Sequence, residues 1–292
     1  MTAAPAVGAD PLSVEVGANI RRLELEGFVV VPRLLDPVLV AALHAELGAL
    51  DLIAPRGNRT LAVYRDVHLG PCPTAVALIA EARMLRFLGR VLGPELICMS
   101  ASYARYAPGY PGMPLHTDCQ PYGSRLFGPL ASVPVSVRVF YYLDELTADR
   151  APFQVVPYSH LCLHGDAHPY QRLRDHPEAQ TIVCPSGSAV LINPRMFHAA
   201  GANTSATARS VYTVSYRPSW AGPTRRVPVT DRRRLARLPE PVRRLFQPPN
   251  RRRADHGLPI RDCGTVPLGA ARWVDRPEPS TPSTTRERRS ER

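Results

Sequence analysis

Apolar residues recur at helical spacing in the first third of this chain and alternate with polar ones through its middle. Val16 to Leu50 reads as helix, turn, helix. Ile20, Leu23 and Leu25 lead into Gly27, a short apolar run Phe28-Val29-Val30-Val31, and Pro32. Asp36-Pro37 then marks a helix start, with Asp as cap and Pro at the first position, and Val38, Leu39, Leu43 and Leu47 follow at helical spacing. A second long helix is predicted from about Pro73 to Leu92, ending at Gly93-Pro94. Residues 1–15 carry no such pattern and are expected to be disordered.

From Glu95 the period changes to two. Strands are predicted at Leu96–Tyr103, Val133–Leu143, Phe153–Val156, Thr181–Cys184, Ala189–Ile192 and Ser210–Tyr216, separated by turns such as Pro108-Gly109, Pro111-Gly112 and Pro185-Ser186-Gly187. Helices first, then many short antiparallel strands, imply a mainly β fold with flanking helices: a double-stranded β-helix, or cupin-like jelly roll. In the second of these strands Val135, Val137, Val139, Tyr141 and Leu143 share one face, while Ser136, Arg138, Phe140 and Tyr142 share the other. The second face either lines a ligand-holding interior or meets solvent.

Composition refines this outline. The 292 residues suit one domain with decorations, and 45% hydrophobic content is enough for a full core. No run reaches the length of a membrane span, and the N-terminus lacks the pattern of a secretory signal, so a cytoplasmic protein with no membrane partner is expected. All 36 basic residues are Arg, which together with 32 Pro points to a GC-rich genome. The net charge of +11 is concentrated near the C-terminus, where residues 225–292 hold 18 Arg against 8 Asp and Glu. The only aromatics of the kind that stack bases in this segment are Phe246 and Trp273, so a solvated tail is favoured and nucleic acid is not an expected partner. The six Cys form no CxxC and read as reduced thiols. The organisation is therefore a frayed 1–15, a domain over 16–224, an Arg/Pro-rich extension over 225–274, and a low-complexity tail over 275–292.

The chemistry is carried by His116-Thr117-Asp118, with His198 and Arg209 far downstream. Two imidazoles and one carboxylate form the facial triad of non-haem Fe(II) oxygenases, which leaves coordination positions open for a co-substrate and oxygen. A keto acid chelating such an iron carries a second carboxylate, and a bidentate guanidinium eleven residues past the distal His suits it. His116 and Asp118, two apart on a strand, would share a face. His160, His164 and His168 also recur every four residues, but Gly165 and Pro169 oppose a continuous helix there.

Four segments in order extend this reading: EGFVVVPRLLDPVLVAALHAEL, YAPGYPGMPLHTD, VFYYLDELTADRAPFQVVPYSH and GSAVLINPRMFHAAGANTSATARSVYTVSYRPSW. Together they resemble the phytanoyl-CoA dioxygenase family of Fe(II)/2-oxoglutarate-dependent oxygenases, from about Leu23 to Trp220. The resemblance implies the β-helix fold, Fe(II) held by His116, Asp118 and His198, and Arg209 on the far carboxylate of 2-oxoglutarate, with O2 as oxidant. Asp118 argues for hydroxylation, desaturation or oxidative cyclisation over halogenation, since halogenating relatives vacate that position. Two departures stand out. The family often has Asn-Gly where this chain has Arg150-Ala151, and Pro-Gly-Ser-His where it has Pro157-Tyr158-Ser159-His160, so these turns are made without glycine and Tyr158 is expected to intrude on the pocket.

Candidate substrate-wall residues are Tyr64, Arg65 and His68 from the helical cap, Gln120, Tyr122 and Arg125 after the triad, and Arg138, Phe140 and Tyr142 from the strand. The expected substrate is a small molecule, first of all a bacterial secondary metabolite in a tailoring step. An acyl-CoA is the enzymatic alternative, and a catalytically silent jelly-roll binding protein the non-enzymatic one.

Overall fold

Asp36 caps the helix its context predicts: its Oδ1 accepts a hydrogen bond from Leu39 N at 2.9 Å, and Pro37 takes the first position. The computed structural model describes residues 11–55, 58–118, 136–161, 176–219 and 232–246. In chain order these form α1 (Pro11–Val14), α2 (Val16–Leu25), β1 (Phe28–Val31), α3 (Pro37–Gly48), β2 (Leu61–Arg65), α4 (Pro73–Leu78), α5 (Ala82–Leu92) and β3 (Leu96–Tyr106). There follow β4 (Val137–Tyr142), β5 (Phe153–Val155), β6 (Gln180–Ile182), β7 (Ala189–Ile192), β8 (His198–Ala200), β9 (Arg209–Pro218), α6 (Arg232–Ala236) and α7 (Glu240–Arg244). Among the described residues no helix is long and apolar enough to cross a membrane.

The strands build two antiparallel sheets, one of six in the order β1-β7-β4-β9-β3-β2 and one of three in the order β6-β5-β8. One face of the large sheet carries Val29, Val31, Tyr103, Val137, Val139, Tyr141, Leu191, Tyr212, Val214 and Tyr216, which form one apolar cluster with Leu43 and Leu47 of α3, Val76 of α4, and Phe87 and Leu88 of α5. The alternate residues point to the small sheet. Phe28, Val190, Ile192, Val211 and Tyr142 meet Phe153, Val155 and Ile182 there. This is the mainly β jelly roll with flanking helices that the change of period predicts.

Four details depart from the expectations. The helix expected over Pro73–Leu92 is two helices: the Glu81 carboxylate accepts from Met84 N at 2.7 Å and starts α5 afresh. The hydroxyls of Tyr212 and Tyr216 donate to the Ala75 and Ile79 carbonyls at 2.9 and 2.7 Å, taking up oxygens that a continuous helix would have used. Residues 61–65 belong to no helical cap; they are an edge strand paired with β3. Residues 11–14, within the stretch expected to be disordered, form α1, and Leu12 is buried in the core. Near the C-terminus, residues that composition alone assigns to a solvated extension also join the core: Val242 and Leu245 are buried, and the Leu245 carbonyl accepts from Cys98 N at 2.8 Å.

Candidate metal centre

The small sheet and the loop before it bring the three ligands together. His116 and His198 exchange both backbone hydrogen bonds, His116 N to His198 O at 3.0 Å and the reverse at 2.9 Å. This is a single bridge, not the strand expected around residue 116. Asp118 is held by its own amide, which donates to Pro194 O at 2.8 Å. One ligand nitrogen from each imidazole and one Asp118 oxygen lie within 4.8 Å of one another, close enough to converge on a single ion.

Backbone carbonyls fix both imidazoles. His116 Nδ1 donates to Pro114 O at 3.1 Å and His198 Nδ1 to Met196 O at 2.9 Å, which leaves each Nε2 as the lone-pair donor for a metal. Behind His198, the amide of Phe197 donates to Ser159 Oγ at 2.8 Å, so the Pro157–His160 segment steadies the distal ligand. His160 itself touches no ligand. It is buried, its Nε2 donates to Glu24 O at 2.8 Å, and its ring lies where a Cβ on Gly27 (φ +88°) would collide at 2.7 Å. His164, His168 and Cys119 lie outside the described residues.

The protonation states suit a divalent cation. Burial, with help from the neighbouring His198, pushes the His116 imidazole down to about 4, so it is neutral near pH 7. Burial opposes ionisation of Asp118, but the Arg138 guanidinium and the imidazoles hold its carboxyl well below the usual carboxylate range. Arg138 Nη1 lies 2.5 Å from Asp118 Oδ2. Neutral imidazoles with an ionised carboxylate are the ligand forms that bind iron(II), and among the described residues no thiolate joins them.

The triad opens into a cavity of about 500 Å³ between the sheets. Arg209 lines it from β9 and is 2% exposed. Its guanidinium carbon lies 3.9 Å from the Tyr106 ring centre and 5.3 Å from that of Tyr142. It has no carboxylate partner among the described residues, and its buried Nε makes no hydrogen bond. A buried cation left without a counter-charge, in the same cavity as a metal-ligand set, is a built anion site.

Of the expected wall residues, Arg65, Arg138, Phe140 and Tyr142 line this cavity. The cavity reading of the Arg138, Phe140 and Tyr142 face therefore holds over the solvent one. Tyr64 and His68 do not line it. In β2, Arg65 pairs with Ser102 on the cavity side, and the alternation turns Tyr64, paired with Tyr103, toward the helices. His68 is buried and stacks on Phe246 at 4.4 Å. Gln120, Tyr122 and Arg125 lie outside the described residues. Sequence reasoning missed Asp66, which lines the cavity with its backbone in the left-handed region (φ 56°), and the small residues Ser100, Ala101, Ser102 and Ala104 of β3. Only the period-two pattern of β3 hinted at Ser102 and Ala104.

Residues 150–158 settle the turns without glycine. Ala151 and Tyr158 both adopt positive φ, 46° and 65°. The backbone keeps the left-handed conformation that glycine favours and forces it on an L side chain. Tyr158 is 55% exposed, so it points to solvent and does not intrude on the pocket as expected.

The profile of the phytanoyl-CoA dioxygenase (PhyH) family matches residues 23–211. The chain belongs to this family. Solved structures of similar fold include SnoN, a non-haem α-ketoglutarate-dependent epimerase from nogalamycin biosynthesis, at 19% identity and a TM-score of 0.59 over 70% of this chain and 82% of that one. SnoK, a carbocyclase from the same pathway, matches at 20% identity and a TM-score of 0.57 over 76% and 90%. HygX from Streptomyces hygroscopicus, solved with nickel, 2-oxoglutarate and hygromycin B, matches at 20% and 0.58 over 70% and 88%. This phytanoyl-CoA dioxygenase family member is thus an oxygenase of the iron and 2-oxoglutarate type.

Proposed function

We propose that the chain oxidises a C–H bond of a small-molecule secondary metabolite, as a hydroxylase, desaturase or oxidative cyclase dependent on Fe(II), 2-oxoglutarate and O2. The observation that carries this reading is Arg209, a buried guanidinium with no carboxylate partner among the described residues, in the cavity that holds His116, Asp118 and His198. His116, Asp118 and His198 would hold the metal, and Arg209 the far carboxylate of the keto acid, with the buried Tyr142 hydroxyl as a second donor. The chemistry supplied by iron and co-substrate together is C–H oxidation coupled to conversion of 2-oxoglutarate and O2 to succinate and CO2.

The chain's own part is placement. Tyr106 and Tyr142 wall in the Arg209 guanidinium. The small side chains of Ser100, Ala101, Ser102 and Ala104 leave room beside Arg209 on the neighbouring strand of the same sheet, and Arg65 and Asp66 supply charge beyond it. A cavity of about 500 Å³ is of ordinary size for a small-molecule site. The natural products bound to its structural neighbours, hygromycin B in HygX and nogalamycin RO in SnoN, favour a scaffold of that kind.

Succinate release from 2-oxoglutarate by the purified Fe(II) protein, lost in His116→Ala, is the direct test. Incubation with a panel of bacterial glycosides and peptides then seeks a product that has gained an oxygen or lost two hydrogens. No succinate from the wild type under any condition would leave the silent binding protein as the better reading.

A further inference from the structure

Two guanidiniums, not one, line the cavity along β4 and β9. Phe140 and Tyr142 stack at 6.4 Å and form an aromatic wall. Arg209 lies over the Tyr142 end at 5.3 Å, and Arg138 over the Phe140 end at 6.0 Å. Arg138 is gripped from behind, where its Nε donates to Ser215 Oγ at 3.3 Å on the paired strand. Nη1 is taken by Asp118. Nη2 makes no hydrogen bond or ion pair to any described residue.

The charges of this arrangement are unfavourable for a metal alone. Asp118 brings one negative charge to the ligand set, and Arg138 cancels it at contact distance. With that charge cancelled, a divalent cation entering the set meets almost no net attraction and a nearby positive charge. A dicarboxylate changes the balance, since it offers one anionic group to each end of the aromatic wall.

We propose that Arg138 docks the metal-proximal carboxylate of the keto acid and thereby makes metal and keto-acid binding interdependent. Arg138 competes with the metal for Asp118 while the co-substrate is absent, and its uncommitted nitrogen receives the carboxylate when both are present. The inference rests on the iron and 2-oxoglutarate reading above and adds a role for the guanidinium beside the triad.

Calorimetric titration of the whole protein with Mn(II), with and without 2-oxoglutarate, provides the test under anaerobic conditions. In the wild type, Mn(II) alone binds weakly and 2-oxoglutarate tightens it. In Arg138→Gln, Mn(II) alone binds about tenfold more tightly while 2-oxoglutarate binds the Mn(II) protein about tenfold more weakly, within the span of coupled sites. Arg138→Lys keeps the charge and stays near the wild type for Mn(II) alone. Weaker Mn(II) binding in Arg138→Gln with unchanged keto-acid affinity would make Arg138 a brace for Asp118 and overturn the proposal, as would no change in either. A wild type that binds neither Mn(II) nor 2-oxoglutarate would instead sink the parent reading.

Discussion

The two faces of the six-stranded sheet are built from the same strands and put to opposite uses. Toward the helices, β9 sends Tyr212, Val214 and Tyr216, and the two hydroxyls close carbonyls of α4 and its end. Toward the small sheet, β9 sends Arg209, Val211 and Thr213, and β4 sends Arg138, Phe140 and Tyr142. There the Arg209 Nε and the Tyr142 hydroxyl are buried with no hydrogen-bond partner among the described residues. Each such group costs roughly 1–3 kcal/mol. One face spends its polar atoms on holding the fold, and the other keeps them in reserve for a ligand.

Truncation on the helix-facing side should give the largest effect on stability. Leu191 is fully buried on β7 between the sheet and the helices. Leu191→Ala is expected to lower unfolding free energy by about 2–5 kcal/mol in urea titrations, while the folded fraction retains wild-type keto-acid affinity. A collapse of affinity with stability intact would mean that the two faces are not separate in function.

The reverse experiment removes a charge from the cavity side. Arg209→Met should weaken 2-oxoglutarate binding by about 2–5 kcal/mol, the range for truncating one partner of a buried charged pair. Metal affinity should change little. Melting temperature should hold or rise, because an unpaired buried cation is replaced by an apolar chain of similar reach. Equal losses of metal and keto acid would remove Arg209 from its assigned place.

The division between the faces was partly legible in the sequence. Alternation places Arg138, Phe140 and Tyr142 together, and the spacing of His116, Asp118, His198 and Arg209 points to one site. What could not be read was which side of an edge strand faces the cavity, so Tyr64 and Arg65 went to the same wall although their pleat separates them. The Arg138–Asp118 pair joins residues from a loop and a strand, and no local pattern announces such a meeting. The break between α4 and α5 was hidden for a similar reason: the tyrosines beside it lie 137 residues downstream of the carbonyls they engage.

A smaller effect lies at the seam between the helix layer and the sheet. His44 of α3 lies 3.4 Å from Asp144, which also accepts from Ser210 N at 2.7 Å, next to Arg209. The hydrogen bond to Asp144 raises His44 above its ordinary 6.5, against the pull of burial. Burial also opposes the charge on Asp144, but its partners hold it below 3.8. His44 therefore contributes stability that is complete below pH 6.5 and fades as pH rises through its raised value. Asp144 contributes above pH 3.8 and fades as pH falls through its lowered one. The pair is strongest between these limits, and because His44 is partly exposed its worth stays below about 1 kcal/mol. Melting temperature should fall from pH 6 to pH 8, and His44→Gln should flatten that fall; an unchanged slope would deny the pair its part in holding α3 to the sheet.

The smallest expected effect tests whether strain behind the metal site is structural or functional. Tyr158 holds φ 65° in the turn that leads to Ser159, whose hydroxyl accepts from Phe197 N beside His198. A left-handed backbone costs an L residue roughly 1–2 kcal/mol, and glycine gives back about 0.4–1 kcal/mol through its freer unfolded chain. Tyr158→Gly should thus stabilise by about 0.5 kcal/mol, since the exposed ring surrenders little burial. Tyr158→Ala keeps the Cβ and should gain nothing, which separates backbone relief from loss of the ring. If Tyr158→Gly melts higher and binds Mn(II) and 2-oxoglutarate as the wild type does, the strained turn is only a support for His198. If it melts higher and binds the metal more weakly, the strain itself helps to set the position of the distal ligand, and the cavity face extends its demands to a loop outside it.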